Sequence, residues 1–401
     1  MQNAQGWRVL LAAFSILLVA FSFGLFSLPV FYGPLIKQFG WTRAQAAGGG
    51  SIALLLIGIL GPVIGKLADR FTAKTVLLTG MCIGALALVL LSFANGLPQY
   101  YAFCVLLGIG CASVSLVPTS ILIAPWFRTK RGLAIGVMNA GVGVAGLISP
   151  NLTRYVIERR GISQAFLTLA ACMAIPFLMT LFLVRGTSRA EAPRQVAAFE
   201  AREVLKMSMF WVFGFSLFFS AHTLTGIQQH LSLYLAGHGV SAANAAFALS
   251  MLLGASAIGK IIGGWIADKH SARLSLLLSI VCLMLGIGGL LTAEPRAGLV
   301  YWIAAMFGLG YGGVFNAPSL IAFEHFGTER VGTILGLFMM FFGLGTSSGG
   351  LVAGYIFDQT KTYMSSFTLD LASASVGFVL LYVAGRRRKE PHERDLLEVR
   401  A

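Results

Sequence analysis

Residues 65–70 read Gly-Lys-Leu-Ala-Asp-Arg, and residues 264–269 read Gly-Trp-Ile-Ala-Asp-Lys. Glycines and prolines elsewhere in the chain form pairs whose two members are separated by nearly the same number of residues as these two stretches. These pairs are Gly108 and Gly308, Gly110 and Gly310, Pro118 and Pro318, Gly132 and Gly332, Gly136 and Gly336, and Gly143 and Gly343. Because chance rarely aligns so many of these residues, we infer two halves that descend from one repeated unit.

Long apolar runs flank both copies of this stretch and continue along the whole chain. Each is long enough to cross a hydrocarbon core of about 30 Å, and none alternates as a spanning strand would, so we expect helices. The predicted spans are 8–35, 44–67, 75–95, 98–125, 132–154, 164–184, 208–235, 242–267, 273–293, 297–322, 330–355 and 365–385.

The composition agrees with a multi-pass membrane protein, with 57% hydrophobic and 11% charged residues. Globular proteins use about a quarter charged residues, so a soluble enzyme, a nucleic-acid-binding protein and a disulfide scaffold are excluded. The cysteines lie singly in apolar segments without the spacing of metal ligands. We therefore expect no metal site, no cofactor and no catalytic constellation, and hence no enzyme.

The basic residues predict the orientation of the chain. If both ends lie on one side of the membrane, that side carries 21 Lys and Arg residues and the other carries 7. The positive-inside rule then predicts that both termini lie on the cytoplasmic side, and we expect the membrane to be a bacterial inner membrane. The net charge of +14 is then explained by topology rather than by nucleic-acid binding. The predicted organisation is a six-helix bundle at 1–184, a cytoplasmic linker at 185–207, a second bundle at 208–385 and a basic tail at 386–401.

Gly65, Asp69, Arg70 and Lys74 resemble the signature loop of the major facilitator superfamily, and residues 264–269 resemble its degenerate second copy. Three stretches resemble the monocarboxylate transporter and oxalate/formate antiporter group within it: Phe39-Gly40-Trp41-Thr42-Arg43-Ala44, the segment from Trp126-Phe127-Arg128 to Arg131-Gly132-Leu133-Ala134-Ile135-Gly136, and Gly259-Lys260. The resemblance covers essentially the whole chain. It implies an all-α membrane protein of twelve helices in two pseudo-symmetric bundles, with a substrate site between them.

The signature loop carries the predicted gate. Gly65 permits close helix packing, and Asp69 lies where its carboxylate could hold Arg70, Arg131 or a helix N-terminus across the cytoplasmic face. The other members of this predicted gate are Lys74 and, in the second copy, Asp268. The alternative is that these residues serve only as part of the topology signal.

Lys260 is the deepest basic residue of the chain. It precedes Asp268 by eight residues, which places its Cα about 12 Å inside the membrane boundary, whereas the repeat equivalent is Gly61. An ammonium at that depth is unfavourable by at least a few kcal/mol unless it is compensated, and an organic carboxylate would compensate it. The alternatives are a snorkelling side chain or an ammonium held by helix carbonyls. The resembling transporters carry Arg here, so Lys260 keeps the charge without the planar fork.

The carboxylates are all predicted at span ends or in the linker and tail, with Asp370 at or near an external end. A proton-driven exchanger for cationic drugs usually needs a membrane-embedded acid, so this distribution argues against one.

In span 7, His222, Thr225 and Gln229 share one face, which we expect to line a cavity. His222 either binds substrate or carries a proton, because imidazole titrates near neutral pH, or it makes a structural interhelical hydrogen bond.

The remaining predicted substrate-site residues lie in spans 4, 10 and 11. Tyr311 and Phe315 in span 10 resemble aromatic positions that line the central site of the monocarboxylate group, and Asn316 follows them. Ser113 and Ser115 occupy the repeat-equivalent region of span 4, and span 11 contributes Phe342. Asn139 in span 5 is expected to make an interhelical hydrogen bond.

The residues and the resemblance together predict a secondary active transporter that moves a small organic anion, with a monocarboxylate as the leading substrate. Animal monocarboxylate carriers place a lysine in helix 1 and an aspartate before the helix 8 cation, where this chain has Ser27 or a neighbour and Ser256. Proton symport through Lys260 or His222 and anion exchange therefore both stay open. The predicted partners are the carboxylate, protons or a counter-anion, and the lipid bilayer, and we expect a monomer.

Two alternatives to this function stay open. The 30 phenylalanines favour efflux of amphipathic compounds. A receptor that resembles a transporter but moves no substrate is the other.

Overall fold

The computed structural model describes residues 2–127, 129–184, 201–292, 297–327 and 331–384. Ten helices within these ranges are long and apolar enough to cross a membrane. Two further spans complete the set, because the first span is divided into shorter helices and the stretch Arg131–Leu183 contains two spans.

Twelve membrane helices follow one another along the chain. The first half contains α1 (segments Gln2–Ser15, Ile16–Phe21, Ser22–Phe26 and Leu28–Phe39), α2 (Arg43–Arg70), α3 (Ala73–Leu91), α4 (Leu97–Ser113 and Leu116–Ile123), α5 (131–160) and α6 (162–172 and Ala174–Leu183). The second half contains α7 (Ser208–Gly237), α8 (Ala242–Lys269), α9 (Ala272–Thr292), α10 (Ala297–Phe326), α11 (Val331–Thr360) and α12 (Met364–Ala384). A four-residue helix, Ala201–Val204, precedes α7.

Local sequence explains where several helices begin, bend and end. Thr42 caps α2 by accepting a hydrogen bond from the backbone N–H of Gln45, whose side chain bonds back to Thr42. The helical run Arg131–Cys172 turns at Gly161, whose φ of 84° is readily adopted only by glycine, and this turn separates α5 from α6. In α4, Val114 and Ser115 leave the helical conformation, which divides a span predicted as continuous.

Large apolar side chains cover the outside of the bundle. Leu351 and Trp302 are each 75% exposed, and Phe182 is 68% exposed. A water-soluble protein rarely presents apolar surface on this scale, whereas lipid favours it. The exposed faces therefore agree with a multi-pass membrane protein.

The two six-helix halves contact each other along two helix crossings. Helix α2 of the first half packs on α11 of the second, and α5 packs on α8. Most of the predicted linker (residues 185–200) and the predicted basic tail at 386–401 lie outside the described residues, so the boundaries of the halves stay predictions.

Candidate functional site

Asp69 contacts the beginning of a helix in the other half. Its Oδ1 accepts a hydrogen bond from the backbone N–H of Gly332 (3.0 Å), and its Oδ2 accepts from the N–H (2.9 Å) and the hydroxyl (3.0 Å) of Thr333. These N–H groups form the N-terminus of α11, where unpaired donors and the helix dipole favour an anion. Of the partners predicted for the Asp69 carboxylate, the structure therefore shows the helix N-terminus.

Asp268 makes the equivalent contact in the opposite sense. Its Oδ1 and Oδ2 accept hydrogen bonds from the backbone N–H groups of Gly132 (2.6 Å) and Leu133 (2.7 Å) at the N-terminus of α5. Both carboxylates thus bridge the two halves at the same end of the bundle. We call this the Asp69 end, and we call the two contacts the carboxylate latches.

Glycines at both crossings allow the latches to close. A Cβ on Gly65 would collide with the carbonyl oxygen of Gly332, and a Cβ on Gly264 would collide with that of Gly132. The backbones of α2 and α11, and of α5 and α8, therefore approach as closely as small residues permit. This explains why both copies of the repeated stretch begin with glycine.

The basic residues of the loops make different contacts. Lys74 donates to the carbonyls of Leu181 (2.9 Å) and Val184 (2.6 Å) at the end of α6. Its repeat equivalent, Arg273, donates to the last carbonyls of α12 in the same way. These cations stabilise C-terminal helix ends within their own halves, where the helix dipole favours positive charge.

The two arginines of the predicted gate lie beside aromatic rings. The Arg70 guanidinium is 5.7 Å from the ring centroid of Phe71, and that of Arg131 is 5.2 Å from that of Phe323 on α10. Arg131 therefore also reaches from the first half to the second.

Lys260 lies in a fully packed position on α8 with only 1% of its surface exposed. Its ammonium is 4.5 Å from the ring centroid of Phe315 and 5.9 Å from that of Tyr311, both on α10. The side chain therefore points along α10 and does not snorkel to the Asp69 end. No carboxylate and no hydrogen-bond acceptor partners this ammonium among the described residues.

An amide pair fixes the backbone at Lys260. Asn316 donates to the Lys260 carbonyl (2.5 Å) and accepts from the side-chain amide of Asn139 on α5 (2.8 Å). Asn139 thus makes the interhelical bond expected of it, and that bond joins the two halves. The side-chain oxygen of Asn139 is buried and has no hydrogen-bond partner among the described residues.

The structure brings the predicted aromatic residues together around Lys260. The Tyr311 and Phe315 rings are 6.4 Å apart and nearly parallel, and Phe342 of α11 meets Phe315 edge-on at 5.8 Å. Lys260, Tyr311, Phe315, Asn316 and Phe342 therefore form one cluster, which we call the Lys260 cluster.

The polar face of α7 packs against α11, whereas we expected it to line a cavity. His222 Nδ1 lies 2.8 Å from Ser348 Oγ, and Thr225 donates to the Thr346 carbonyl (2.8 Å). Gln229 lies against Gly350 and remains exposed. Small residues on α11 leave room for these side chains, so hydrogen bonding rather than a cavity satisfies most of the face.

The two serines of α4 make hydrogen bonds within their own helix. Ser113 packs against Gly80 of α3, and its hydroxyl donates to the Ile109 carbonyl in its own helix (2.9 Å). Ser115 begins the second segment of α4, and its carbonyl accepts a hydrogen bond from Thr119. The non-helical backbone of Val114 and Ser115 interrupts α4 here, whereas α10 is continuous at the equivalent positions, and the substrate role of both serines stays a prediction.

Asp370 corrects the expected distribution of carboxylates. It lies six residues inside α12, is 2% exposed, and has one oxygen 3.8 Å from His222 Nε2. Its other oxygen has no hydrogen-bond partner among the described residues. The inference that the spans contain no embedded acid was therefore wrong. The signal was present in the sequence, because an aspartate six residues inside a 21-residue apolar helix lies below the membrane surface.

A comparison with known families identifies the architecture. Residues 12–350 match the sequence profile of the Major Facilitator Superfamily. The chain belongs to this superfamily. Its twelve helices agree with a major facilitator fold, and members of this superfamily are transporters.

Individual relatives of this major facilitator protein are distant but span its length. Monocarboxylate transporter 13 of Rattus norvegicus is 26% identical over 91% of this chain and 85% of its own. The uncharacterized transporter YcxA of Bacillus subtilis is 28% identical over 89% of this chain and 90% of its own.

Solved structures show the same fold. The human organic anion transporter MFSD10 (TETRAN) matches with a TM-score of 0.77 and 15% identity, over 94% of this chain and 99% of its own. The transporter FucP in its outward conformation matches with a TM-score of 0.69 and 15% identity, over 94% and 97% of the two chains.

Proposed function

We propose that this major facilitator protein moves a small organic anion across the bacterial inner membrane, with a monocarboxylate as the leading substrate. The observation that carries this proposal is Lys260, a buried cation without an anionic partner in the described part of the chain. A charge at membrane depth needs compensation, and a bound carboxylate supplies it. Relatives named as monocarboxylate transporters support the same substrate class.

The surroundings of Lys260 favour a small substrate. Phe315, Tyr311 and Phe342 pack close to the ammonium, so an acid that binds there meets one point charge and an apolar wall. A short aliphatic carboxylate combines these two properties. Because a lysine offers no planar fork, the site does not require a second carboxylate oxygen to be paired.

Alternating access explains the latches. In the described conformation both latches hold the Asp69 end closed, and the positive-inside rule supports a cytoplasmic position for that end because basic residues surround it. Opening that end breaks both carboxylate contacts. Substrate binding can shift the protein between its two conformations only if the substrate binds one of them more tightly than the other.

Transport by purified protein in liposomes tests the proposal. Uptake of labelled lactate, pyruvate, oxalate and a larger aromatic acid is measured for wild type, Lys260→Ala and Lys260→Arg. Lys269→Ala serves as the matched control, since it removes an exposed lysine from the same helix. We expect one of the small acids to be transported, Lys260→Ala to abolish its uptake, and Lys269→Ala to preserve it.

Efflux of amphipathic compounds is the competing function, and Asp370 removes the earlier objection that no buried acid exists. A dye-efflux assay in the same liposomes separates the two functions. If no acid moves, or if Lys260→Ala transports acids as well as wild type, the anion proposal fails. Dye efflux that depends on Asp370 would then favour the competing function.

A further inference from the structure

The contact between α7 and α12 contains a buried imidazole and a buried carboxyl group. His222 Nε2 and Asp370 Oδ1 are 3.8 Å apart, and the two side chains are 10% and 2% exposed. Asp370 Oδ2 has no hydrogen-bond partner in the described part of the chain. Gly226, one turn along α7 from His222, lies against this carboxyl group, and a Cβ there would collide with it.

The hydrogen bonds around His222 define which ring nitrogen faces the carboxyl group. Ser348 donates its hydroxyl proton to the Gly345 carbonyl (2.8 Å), so its oxygen accepts from His222 Nδ1 (2.8 Å). Nδ1 therefore carries a hydrogen, and Nε2 is the nitrogen that gains or loses a proton. That nitrogen faces Asp370. A proton that enters the pair is bound by Nε2 or by the carboxylate, and no other bond changes.

Other titratable groups on the neighbouring helices are held by different partners. Arg273 of α9 bonds the end of α12, His230 bonds Tyr363 and the Gly350 carbonyl, and Tyr234 donates to the Leu290 carbonyl. The helices packed on the pair also carry Lys260 on α8, Tyr311 on α10 and Asp358 at the end of α11. Among the described residues, His222 is the only basic side chain within 4.0 Å of the Asp370 carboxylate.

The charges of the pair and of Lys260 are complementary. When the pair is deprotonated and Lys260 is protonated, the two sites carry opposite charges, although no contact joins the Lys260 ammonium to the Asp370 carboxylate. An anion that binds Lys260 would leave one uncompensated negative charge. A proton bound by the pair makes the sum of these charges zero, and low-dielectric surroundings strongly favour this balance.

We propose that His222 and Asp370 together form the proton-binding site of this transporter and couple one proton to each substrate anion. This inference rests on the proposed anion transport and replaces the open choice between symport and exchange with symport. Its residues lie on α7 and α12, whereas the substrate lies at Lys260 on α8.

Two assays in liposomes distinguish coupling from transport itself. Exchange of labelled for unlabelled acid at equal pH on both sides needs the anion site alone, whereas accumulation against a gradient needs the proton site. A proton gradient of one pH unit corresponds to about tenfold accumulation for one coupled proton. We expect about tenfold accumulation by wild type and none by Asp370→Asn or His222→Gln, with exchange preserved in both variants. Asp358→Asn, which removes an exposed aspartate, should behave as wild type.

Several results would overturn the inference. Accumulation by Asp370→Asn at the wild-type level would exclude the pair, as would loss of exchange in folded, monodisperse Asp370→Asn and His222→Gln, which would indicate a packing role. Wild-type exchange without any response to the gradient would refute coupling but leave anion transport intact.

A spectroscopic readout keeps the test independent of substrate choice. If wild type moves no acid at all, the proposed function fails, and infrared pH titration of the purified protein still tests proton binding. A carboxyl C=O band that titrates in wild type and is absent from Asp370→Asn supports the pair. Identical titrations of the two proteins would refute it.

Discussion

Removing the charge of Asp69 should open the Asp69 end of the bundle. In Asp69→Asn, one side-chain position becomes an NH₂ donor that faces the N–H donors of Gly332 and Thr333, so at least one of the hydrogen bonds at 2.9–3.0 Å is lost. A hydrogen bond to a charged group contributes about 1.5–3 kcal/mol, and we take the lower value because water reaches this half-buried site. A loss of about 1.5 kcal/mol raises the open population about tenfold.

A cysteine at Ser319 reports this opening. Ser319 is buried on α10, and its hydroxyl lies 2.9 Å from that of Ser120 on α4, so the two halves must separate before a reagent can reach it. In a background without the native cysteines, Ser319→Cys is labelled with a maleimide under conditions where opening precedes a slow labelling step. The labelling rate then follows the open population.

The expected result is about tenfold faster labelling in Asp69→Asn, since the free-energy loss falls on the closed state alone. Glu158→Gln, which removes an exposed carboxylate paired with Arg154, should leave the rate unchanged. Because Asp268 contributes an independent contact, the double variant with Asp268→Asn should label faster than either single variant. An unchanged rate in Asp69→Asn, or an equal increase in Glu158→Gln, would refute the latch.

Further predictions concern packing, capping and the anion site. Gly65→Ala should speed the labelling of Ser319→Cys at least as strongly, because its Cβ cannot fit the closed crossing, whereas Gly288→Ala, with open space around the Cβ, should not. Lys74→Ala should destabilise the end of α6 by about 1 kcal/mol and lower the Tm of the purified protein, whereas exposed Lys66→Ala should leave it unchanged. Phe315→Leu should weaken substrate binding about threefold to tenfold in a KM measurement with little change in kcat, since it removes the ring beside the ammonium and keeps the apolar wall.

The helices could be predicted well because their signals are local. Apolar length alone places α7, α8 and α9 within two residues of their observed ends. The breaks inside α1 and α4 were missed, because a span that bends remains equally apolar and hydropathy does not register the bend. The turn at Gly161 is of the same kind, since the glycine is visible in the sequence but its φ of 84° is not.

The depth of a residue within a span could be predicted from the sequence, whereas contacts between residues far apart in the chain could not. Lys260 stands out because a cation eight residues inside a span is unfavourable without compensation, whereas its aromatic neighbours Tyr311 and Phe315 were expected from the family resemblance. The contact between His222 and Asp370 joins residues far apart in the chain, and only the packing of α7 on α12 reveals it. Ser113 was chosen by a repeat offset that assumes a continuous α4, and its substrate role stays a prediction because α4 is interrupted directly after it.

The repeat itself explains why the buried charges belong together. Lys260 corresponds to Gly61 in the first half, and at nearly the same offset Asp370 corresponds to Ala170 or Ala171, so both ionisable groups stand where the first half has small neutral residues. A charged group at such depth is strongly unfavourable, and the two groups in the second half carry opposite charges when ionised. The first half contributes mainly structure at its crossings: a carboxylate latch, close-packed glycines and the Asn139 amide. Under both proposals, substrate and proton binding therefore lie in the second half, and the first half moves against it.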